Sequence, residues 1–211
     1  MKIINWLFKW GYHLLYHQLA WTYDFVAAIV SLGQWNTWIH LALPFLSGQH
    51  ILEVGFGPGH LLDTAIKCQK SIVGIDESKQ MIHRARKMIS TVVDNPPLIR
   101  GNIFAMPFPD EHFDQVVSTF PSEYIFDKAA IAEIFRVLIP GGQLIILPFA
   151  LIKGKLWYEK LINRILNFDS AIHIWDENFA ASLKQNGFID VSIKLIEDDR
   201  SKVMFIIAAK P

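Results

Sequence analysis

A glycine-dense turn after a short apolar run constrains the fold of this chain more than any other feature. The run Ile51–Val54 is followed by Gly55, Gly57 and Gly59, and Glu53 stands just ahead of them. Because glycine has no Cβ, it adopts positive φ readily and lets the backbone approach a ligand closely. The order predicts a buried strand, a tight turn and a helix. It suits a ligand with a ribose and a cationic centre better than a chain of phosphates.

The spacing of the glycines separates this turn from two common nucleotide-binding loops. The dinucleotide motif would need its third glycine at the position of His60, and here that glycine comes one residue early. The phosphate-binding loop would end in Gly-Lys-Ser or Gly-Lys-Thr, which does not follow. A nicotinamide-dependent oxidoreductase is therefore disfavoured. At this point a tight turn without chemical meaning stays an alternative.

An acidic residue closes the next predicted strand. The apolar stretch Ser71–Ile75 ends in Asp76. An acid about 20 positions after a glycine turn, at the end of the second strand, can accept hydrogen bonds from both ribose hydroxyls. The two acids, Glu53 and Asp76, are therefore expected at neighbouring strand ends.

Two further blocks follow in the order known from one enzyme family. The first leads from Gly101 through Asp110 to Ser118, and the second is Arg-Val-Leu-Ile-Pro-Gly-Gly at 136–142. With the glycine turn and Asp76, they make residues 50 to 150 resemble the class I S-adenosylmethionine (SAM)-dependent methyltransferases. The chain looks closest to the branch with quinone C-methyltransferases and small bacterial lipid methyltransferases. The resemblance implies SAM as cofactor and S-adenosyl-L-homocysteine as product.

The resemblance also implies roles for individual residues. The glycine turn would wrap the amino-acid part of SAM, Asp76 would hold the ribose, and Ile103 would pack on the adenine. Asn102 stands where the family usually has an Asp that meets the adenine amino group. Its amide oxygen can still accept from that amine, so a weaker contact is expected. The block at 136–142 is expected to be structural. The predicted cofactor-binding residues are Glu53, Gly55, Phe56, Gly57, Gly59, Asp76, Glu77, Met81, Asn102, Ile103 and Thr119.

Size and composition limit the classes of protein that remain. The chain has 211 residues, enough for one sizeable domain, and its formal net charge is zero, so no basic field favours nucleic acid. Cys68 is alone and suits a reducing compartment. No apolar stretch reaches the roughly 18 residues of a membrane-spanning helix, and Lys9 interrupts any signal-peptide core. A cytoplasmic protein that binds no nucleic acid is expected.

Apolar runs alternate with helical stretches along most of the chain. This pattern predicts an α/β fold: a Rossmann-like, seven-stranded and mostly parallel sheet with helices on both faces and an antiparallel last strand. The predicted domain covers residues 47–211, after an N-terminal helical extension at 1–46. Strands are expected near 50–54, 71–75, 97–100, 114–119, 142–149, 189–196 and 202–209. Helices are expected near 59–69, 78–92, 127–138, 156–168 and 176–186, the last capped by Gly187.

Two aromatic-rich segments, 1–46 and 148–179, bear on the substrate. In the family the corresponding regions cover the acceptor, so their apolar character suggests a small hydrophobic or lipid-like acceptor. Residues 2, 5, 9, 13 and 17 put a narrow polar stripe on an otherwise apolar helix. Three interpretations stay open for this helix: packing on the sheet domain, a lid over the acceptor, and peripheral contact with a membrane interface.

The predicted reaction is transfer of the sulfonium methyl group to this acceptor. Alignment and exclusion of water would supply most of the catalysis. If the acceptor needs a base, the candidate catalytic residues are Tyr23, His17, Glu123 and Tyr124. No metal site is predicted, because the pair His13 and His17 has no third ligand at matching spacing. The alternative is a non-catalytic SAM-binding or partner-binding protein that retains the fold.

Overall fold

The structure is a computed structural model that describes residues 27–29, 31–153 and 179–211. It confirms the predicted α/β class, since one sheet lies between two layers of helices. The strands are β1 Ile51–Val54, β2 Ile72–Asp76, β3 Leu98–Arg100, β4 Phe113–Thr119, β5 Leu138–Leu147, β6 Ala150–Ile152, β7 Ile189–Glu197 and β8 Ser201–Ala209.

The strand order places β1 near the middle of the sheet. Along the path the order is β3-β2-β1-β4-β5-β8-β6, and β7 pairs with β8. The pairings from β3 to β5 are parallel, whereas β8 is antiparallel to β5, β6 and β7. The antiparallel last strand was predicted and is confirmed.

Strand β6 continues the predicted strand β5 along the same side of β8 and adds no new position to the sheet. Ile146 pairs with Ile206, and Ala150 pairs with Val203 on the same strand β8. Ala150 lies four residues after Ile146, whereas Val203 lies three residues before Ile206. This difference of one residue is a bulge that separates β6 from β5. Seven strand positions therefore remain across the sheet, as the sequence predicts.

Five helices of the described residues flank the sheet, along with short 3-10 turns. They are α1 Trp35–His40, α2 His60–Lys67, α3 Lys79–Ile89, α4 Lys128–Val137 and α5 Phe179–Gln185. Helix α3 begins at Ser78, whose hydroxyl accepts from the Met81 N–H at 3.3 Å. Helix α5 ends just before Gly187, at φ +93°, which fits the predicted cap. The predicted helix near 156–168 lies outside the described residues.

Side chains alternate between the two faces of the sheet and form two cores. Helices α1, α2 and α3 pack with one core, and helices α4 and α5 with the other. In β5, for example, Leu144 and Ile146 enter one core while Ile145 and Leu147 enter the other. Both faces are therefore covered, which is the usual arrangement of a mostly parallel sheet.

The block at 136–142, which was expected to be structural, joins the end of helix α4 to strand β5. Arg136 donates to Phe108 O at 2.8 Å, Met106 O at 3.1 Å and both carboxylate oxygens of Glu133 at 2.7 and 2.9 Å. It therefore fastens the loop before β4 to helix α4. Strand β5 begins at Leu138, four residues earlier than predicted, because Leu138 already pairs with Phe113 ahead of an irregular stretch through Gly141.

None of the helices within the described ranges is both long and apolar enough to cross a membrane.

Candidate functional site

A cleft of about 310 Å³, open to solvent, lies at the carboxyl ends of β1 and β4. One wall is polar and built from backbone, with Glu53, the glycine turn and Thr119. The other wall is apolar and includes Trp35, Ile39 and Phe120. Ligands of open parallel sheets bind at such strand ends, where neighbouring strands connect in opposite directions. Here β1 meets β4 beside the connection that leads to β2.

Glu53 is the most unusual ionisable group in this cleft. Its side chain is 1% exposed, and Oε2 has no hydrogen-bond partner within the described residues. Oε1 lies 3.5 Å from the Thr119 hydroxyl. Burial raises the pKa of Glu53 to about 8, and the negative charge of Asp76 adds to the shift. Hydrogen bonds from Thr119 and from the Leu62 backbone oppose it. A buried carboxyl oxygen without a donor indicates a place for a cationic or donor group of a ligand.

The glycine turn needs its glycines for different physical reasons. Gly55, Gly57 and Gly59 all have positive φ, at +67°, +55° and +91°. A Cβ added to Gly57 would meet nothing within 4 Å, whereas one added to Gly59 would come within 2.8 Å of the Ala85 Cβ. Gly57 therefore leaves space free beside the cleft, and Gly59 permits close packing of α2 against α3.

Asp76 is tied to the glycine turn across the end of β2. Its Oδ2 accepts the Gly57 N–H at 2.9 Å, and its Oδ1 accepts the Ser78 N–H at 2.8 Å. The side chain is 9% exposed. This acid is therefore fixed at the carboxyl end of β2 by the turn that lines the cleft. Of the neighbouring predicted residues, Glu77 is exposed and Met81 is fully buried.

Tyr124 reaches back from the turn after β4 to the glycine turn. Its hydroxyl donates to Val54 O at 3.2 Å and lies 3.0 Å from the Ser118 hydroxyl. A Cβ added to Gly55 would come within 2.3 Å of this hydroxyl. The contacts place Tyr124 beside the cleft and give it a positioning role for the turn. Of the other predicted catalytic residues, Glu123 is exposed, and His17 and Tyr23 lie outside the described residues.

Asn102 lies two residues after β3, at the same edge of the sheet. Its Oδ1 accepts the Phe104 N–H at 2.8 Å and caps a 3-10 turn over Ile103–Ala105. The amide oxygen that was expected to meet an adenine amine therefore already accepts one backbone hydrogen bond and keeps one lone pair. Ile103 is half-buried against the core.

Sequence reasoning missed the aromatic pair that forms the apolar wall. The rings of Trp35 and Phe120 stack with centroids 4.1 Å apart and an interplanar angle of 24°. Phe120 has φ +48°, an uncommon conformation for a bulky residue, and its N–H donates to Leu147 O at 2.7 Å. The signal that was available is the position of Phe120, directly after Thr119 at the end of a predicted strand.

Across 27–29, 31–153 and 179–211, no three His, Cys, Asp or Glu side chains gather in a metal-binding arrangement.

The comparison with protein families matches the part of the chain that builds the cleft. Residues 52–146 match the family described as methyltransferase domain. The ubiquinone/menaquinone biosynthesis C-methyltransferase of Shewanella piezotolerans is 31% identical over 145 residues. That alignment covers 64% of this chain and 58% of the relative, so the chain spans less than two thirds of the relative's length.

Solved structures share the fold at lower identity. A phosphoethanolamine N-methyltransferase of Haemonchus contortus in complex with S-adenosyl-L-methionine has a TM-score of 0.61 at 19% identity, over 85% of this chain and 53% of that one. A geranyl diphosphate C-methyltransferase of Streptomyces coelicolor, in complex with geranyl diphosphate and S-adenosyl-L-homocysteine, has a TM-score of 0.60 at 11% identity, over 82% and 78%. At these identities the likeness shows the fold alone.

Proposed function

We propose, from the premise that residues 52–146 belong to the family of methyltransferase domains, that this protein transfers a methyl group from SAM to a small hydrophobic acceptor. The observation that carries the proposal is the environment of Glu53. Its buried Oε2 lacks a donor and lies at a positive-φ glycine turn beside a cleft. A purely structural turn would not need a buried acid with one oxygen left without a donor, because such a group costs stability.

The residues present fit the amino-acid end of SAM. Its ammonium group would supply the hydrogen bonds and the positive charge that Glu53 lacks, and a charge-assisted pair of this kind is stronger than a neutral one. The free space beside Gly57 admits the ligand backbone next to the turn. Asp76, already oriented by the Gly57 and Ser78 N–H groups, would accept hydrogen bonds from the ribose hydroxyls.

SAM brings a methyl group on a sulfonium centre that is already activated for displacement. The task of this chain is therefore to fix the two reactants in line and to exclude water. Glu53 and Asp76 would hold the cofactor from the polar wall. Trp35, Ile39 and Phe120 would form the dry wall that the acceptor meets. Tyr124 orients the turn through Val54 O, and it stays a candidate base together with Glu123, His17 and Tyr23.

The apolar wall and the named relative together favour a hydrophobic or quinone-like acceptor. An acceptor with a long apolar chain partitions into membranes, so peripheral contact of the N-terminal residues with a bilayer is the alternative to their role as a lid. The chain spans 58% of the Shewanella relative, and the acceptor is therefore proposed by its chemical class alone.

Binding and turnover test the proposal separately. Isothermal titration calorimetry with S-adenosyl-L-homocysteine should give a dissociation constant in roughly the micromolar range, and NAD should give no heat. Transfer of a labelled methyl group from SAM to a short-chain demethylated quinone should then be measurable. Binding of S-adenosyl-L-homocysteine without turnover on any hydrophobic acceptor would favour the non-catalytic alternative. Binding of NAD alone would overturn the proposal.

A further inference from the structure

The strand order fixes which residue meets which end of a SAM-shaped ligand. Glu53 lies on β1, Asp76 ends β2, and Asn102 follows β3, and these three strands are neighbours in the order β3-β2-β1. The Gly101 N–H donates to Asp76 O at 3.1 Å, so the Asn102 segment lies directly beside Asp76. Strands are about 4.8 Å apart, which puts the β3 edge about 10 Å from the β1 edge. A ligand with its ammonium at Glu53 and its ribose at Asp76 therefore directs its base toward Asn102.

The hydrogen bond at Asn102 determines how the amide is oriented toward that base. A backbone N–H can only donate, so the side-chain atom that faces the Phe104 N–H at 2.8 Å is the oxygen. Oδ1 then keeps one lone pair, and the other end of the amide is the NH₂ group, which only donates. Asn102 is exposed, and its Nδ2 makes no hydrogen bond to the residues that the structure describes. An aspartate with the same backbone contact would instead leave a second acceptor oxygen.

We propose that Asn102 makes the base end of the cofactor site tolerant of a 6-oxo purine, an inference that rests on the proposed function. The 6-amino group of adenine is a donor and gains nothing from the donor Nδ2. The 6-oxo group of hypoxanthine is an acceptor and can take a hydrogen bond from it. Adenine would keep the remaining lone pair of Oδ1 as an acceptor for its 6-amino group and would pack on Ile103. The position therefore sets base selectivity rather than cofactor affinity as such.

The test compares two ligands and three proteins by titration calorimetry. The ligands are S-adenosyl-L-homocysteine and its 6-oxo analogue, S-inosyl-L-homocysteine. The proteins are the parent chain, Asn102→Asp and the control Asn95→Asp, which adds the same charge at an exposed turn. Aspartate is as good a cap as asparagine, so Asn102→Asp should fold normally, and its thermal midpoint checks this.

The parent and Asn95→Asp should bind the two ligands within about fivefold of each other. Asn102→Asp should shift the preference toward the adenosyl ligand by at least about tenfold, because it restores an acceptor for the 6-amino group. The inference alone would be overturned if Asn102→Asp kept the parent's ratio of the two affinities. It would also be overturned if the parent already preferred the adenosyl ligand by more than about tenfold. Absence of binding by either ligand to all three proteins would overturn the proposed function and the inference with it.

Discussion

Glu53 shows how one residue links stability to ligand binding. In the folded protein its pKa is raised from 4.5 to about 8 by burial, with Asp76 adding to the shift. At neutral pH burial therefore favours the protonated acid, whereas a cationic ligand would favour the carboxylate. Binding of SAM or its product should then release a proton below about pH 8. The free-energy cost of ionising this buried acid would be offset by the positive charge of the bound ligand.

Glu53→Gln should separate these two effects. Between pH 4.5 and about 8 the folded protein holds more protons than the unfolded chain, so the parent loses stability as pH rises, by at most about 1.4 kcal/mol per pH unit. The variant has no such proton and should lose this slope, which calorimetric unfolding across the pH range measures. At about pH 8 its affinity for S-adenosyl-L-homocysteine should fall about 10- to 150-fold, because a charge-assisted bond is lost.

A surface glutamate provides the control for this prediction. Glu197 is exposed and pairs with Lys202 at 2.9 Å, so Glu197→Gln should change affinity and the pH slope little. If Glu53→Gln binds the ligand as tightly as the parent, Glu53 does not hold the ammonium group. If its unfolding keeps the pH slope of the parent, the raised pKa of Glu53 is not its source.

The residues of the polar wall could be predicted because their signals are local. Glu53 and Asp76 each lie at the end of a strand that the sequence shows as an apolar run, and the ends of parallel strands meet at one edge of the sheet. The stacking of Trp35 on Phe120 could not be predicted, because it depends on where α1 packs on the sheet. The Asn102 contact could have been predicted, since Asn side chains often accept from the N–H two residues ahead.

At the scale of elements, two glycines of the turn between β1 and α2 have different roles. Gly57 faces free space beside the cleft, and Gly59 lies against Ala85 of α3. The first should matter for ligand binding and the second for helix packing. The sequence motif alone does not make this distinction, because both residues are simply glycines at the same spacing.

Gly57→Ala and Gly59→Ala should therefore fail in different ways. Gly57→Ala should cost only the strain of an alanine at φ +55°, about 1–2 kcal/mol, yet weaken S-adenosyl-L-homocysteine binding at least about tenfold. Gly59→Ala adds a 2.8 Å approach to the Ala85 Cβ to the strain at φ +91°, so it should lower the thermal midpoint further. Differential scanning calorimetry and titration calorimetry on both variants measure the two effects.

A second substitution tests the assignment of Gly59. Gly59→Ala combined with Ala85→Gly removes the clashing Cβ and should recover part of the thermal midpoint lost by Gly59→Ala, because α2 and α3 regain their close packing. No second substitution of this kind should rescue Gly57→Ala, whose added Cβ meets only the ligand. Equal losses of stability and of binding in the two single variants would contradict this division of roles.

Element positions were more predictable than element ends. The described strands and helices other than β6 and α1 were each expected near their observed positions, and the antiparallel hairpin of β7 and β8 was placed correctly. The bulge that separates β5 from β6 was missed, because its only cause is a one-residue register difference against β8. Such a difference depends on the partner strand and leaves no mark in the pattern of either strand.

At the scale of the whole molecule, the described residues before β1 belong to the packing of the sheet domain. Trp38, Ile39, Ala42 and Leu46 are at most 4% exposed and share a core with Phe205 of the last strand. Gln115 also fastens this segment, since its side chain accepts from the Ser47 and Gly48 N–H groups at 2.8 and 2.7 Å. The predicted boundary between residues 46 and 47 thus has continuous packing on both sides, and the division into 1–46 and 47–211 stays a prediction.

Deletion of residues 1–20 should accordingly leave the cofactor site intact. Within the part of the chain that the structure describes, the cleft is lined from Trp35 onward, so the affinity for S-adenosyl-L-homocysteine should stay within about threefold of the parent value. If the deleted residues cover the acceptor, turnover of a hydrophobic acceptor should fall about 100-fold or more, because the pocket admits water and loses alignment. Calorimetry and a methyl-transfer assay on the same preparation measure both quantities.

The other two interpretations of residues 1–20 predict different outcomes for the same deletion. A membrane-interface segment would lose liposome co-sedimentation while activity on a soluble acceptor survives. A merely structural segment would lower the thermal midpoint, and both functions would decline together. Lys2→Ala with Lys9→Ala is the matched control, since it removes only about 1 kcal/mol per charge of attraction to an anionic surface. We expect a lid rather than a membrane-interface segment, because Lys2 and Lys9 are the only Lys or Arg residues in 1–20 and two charges give weak attraction to an anionic surface. A truncated protein that binds the cofactor and turns over a hydrophobic acceptor at the parent rate would rule it out.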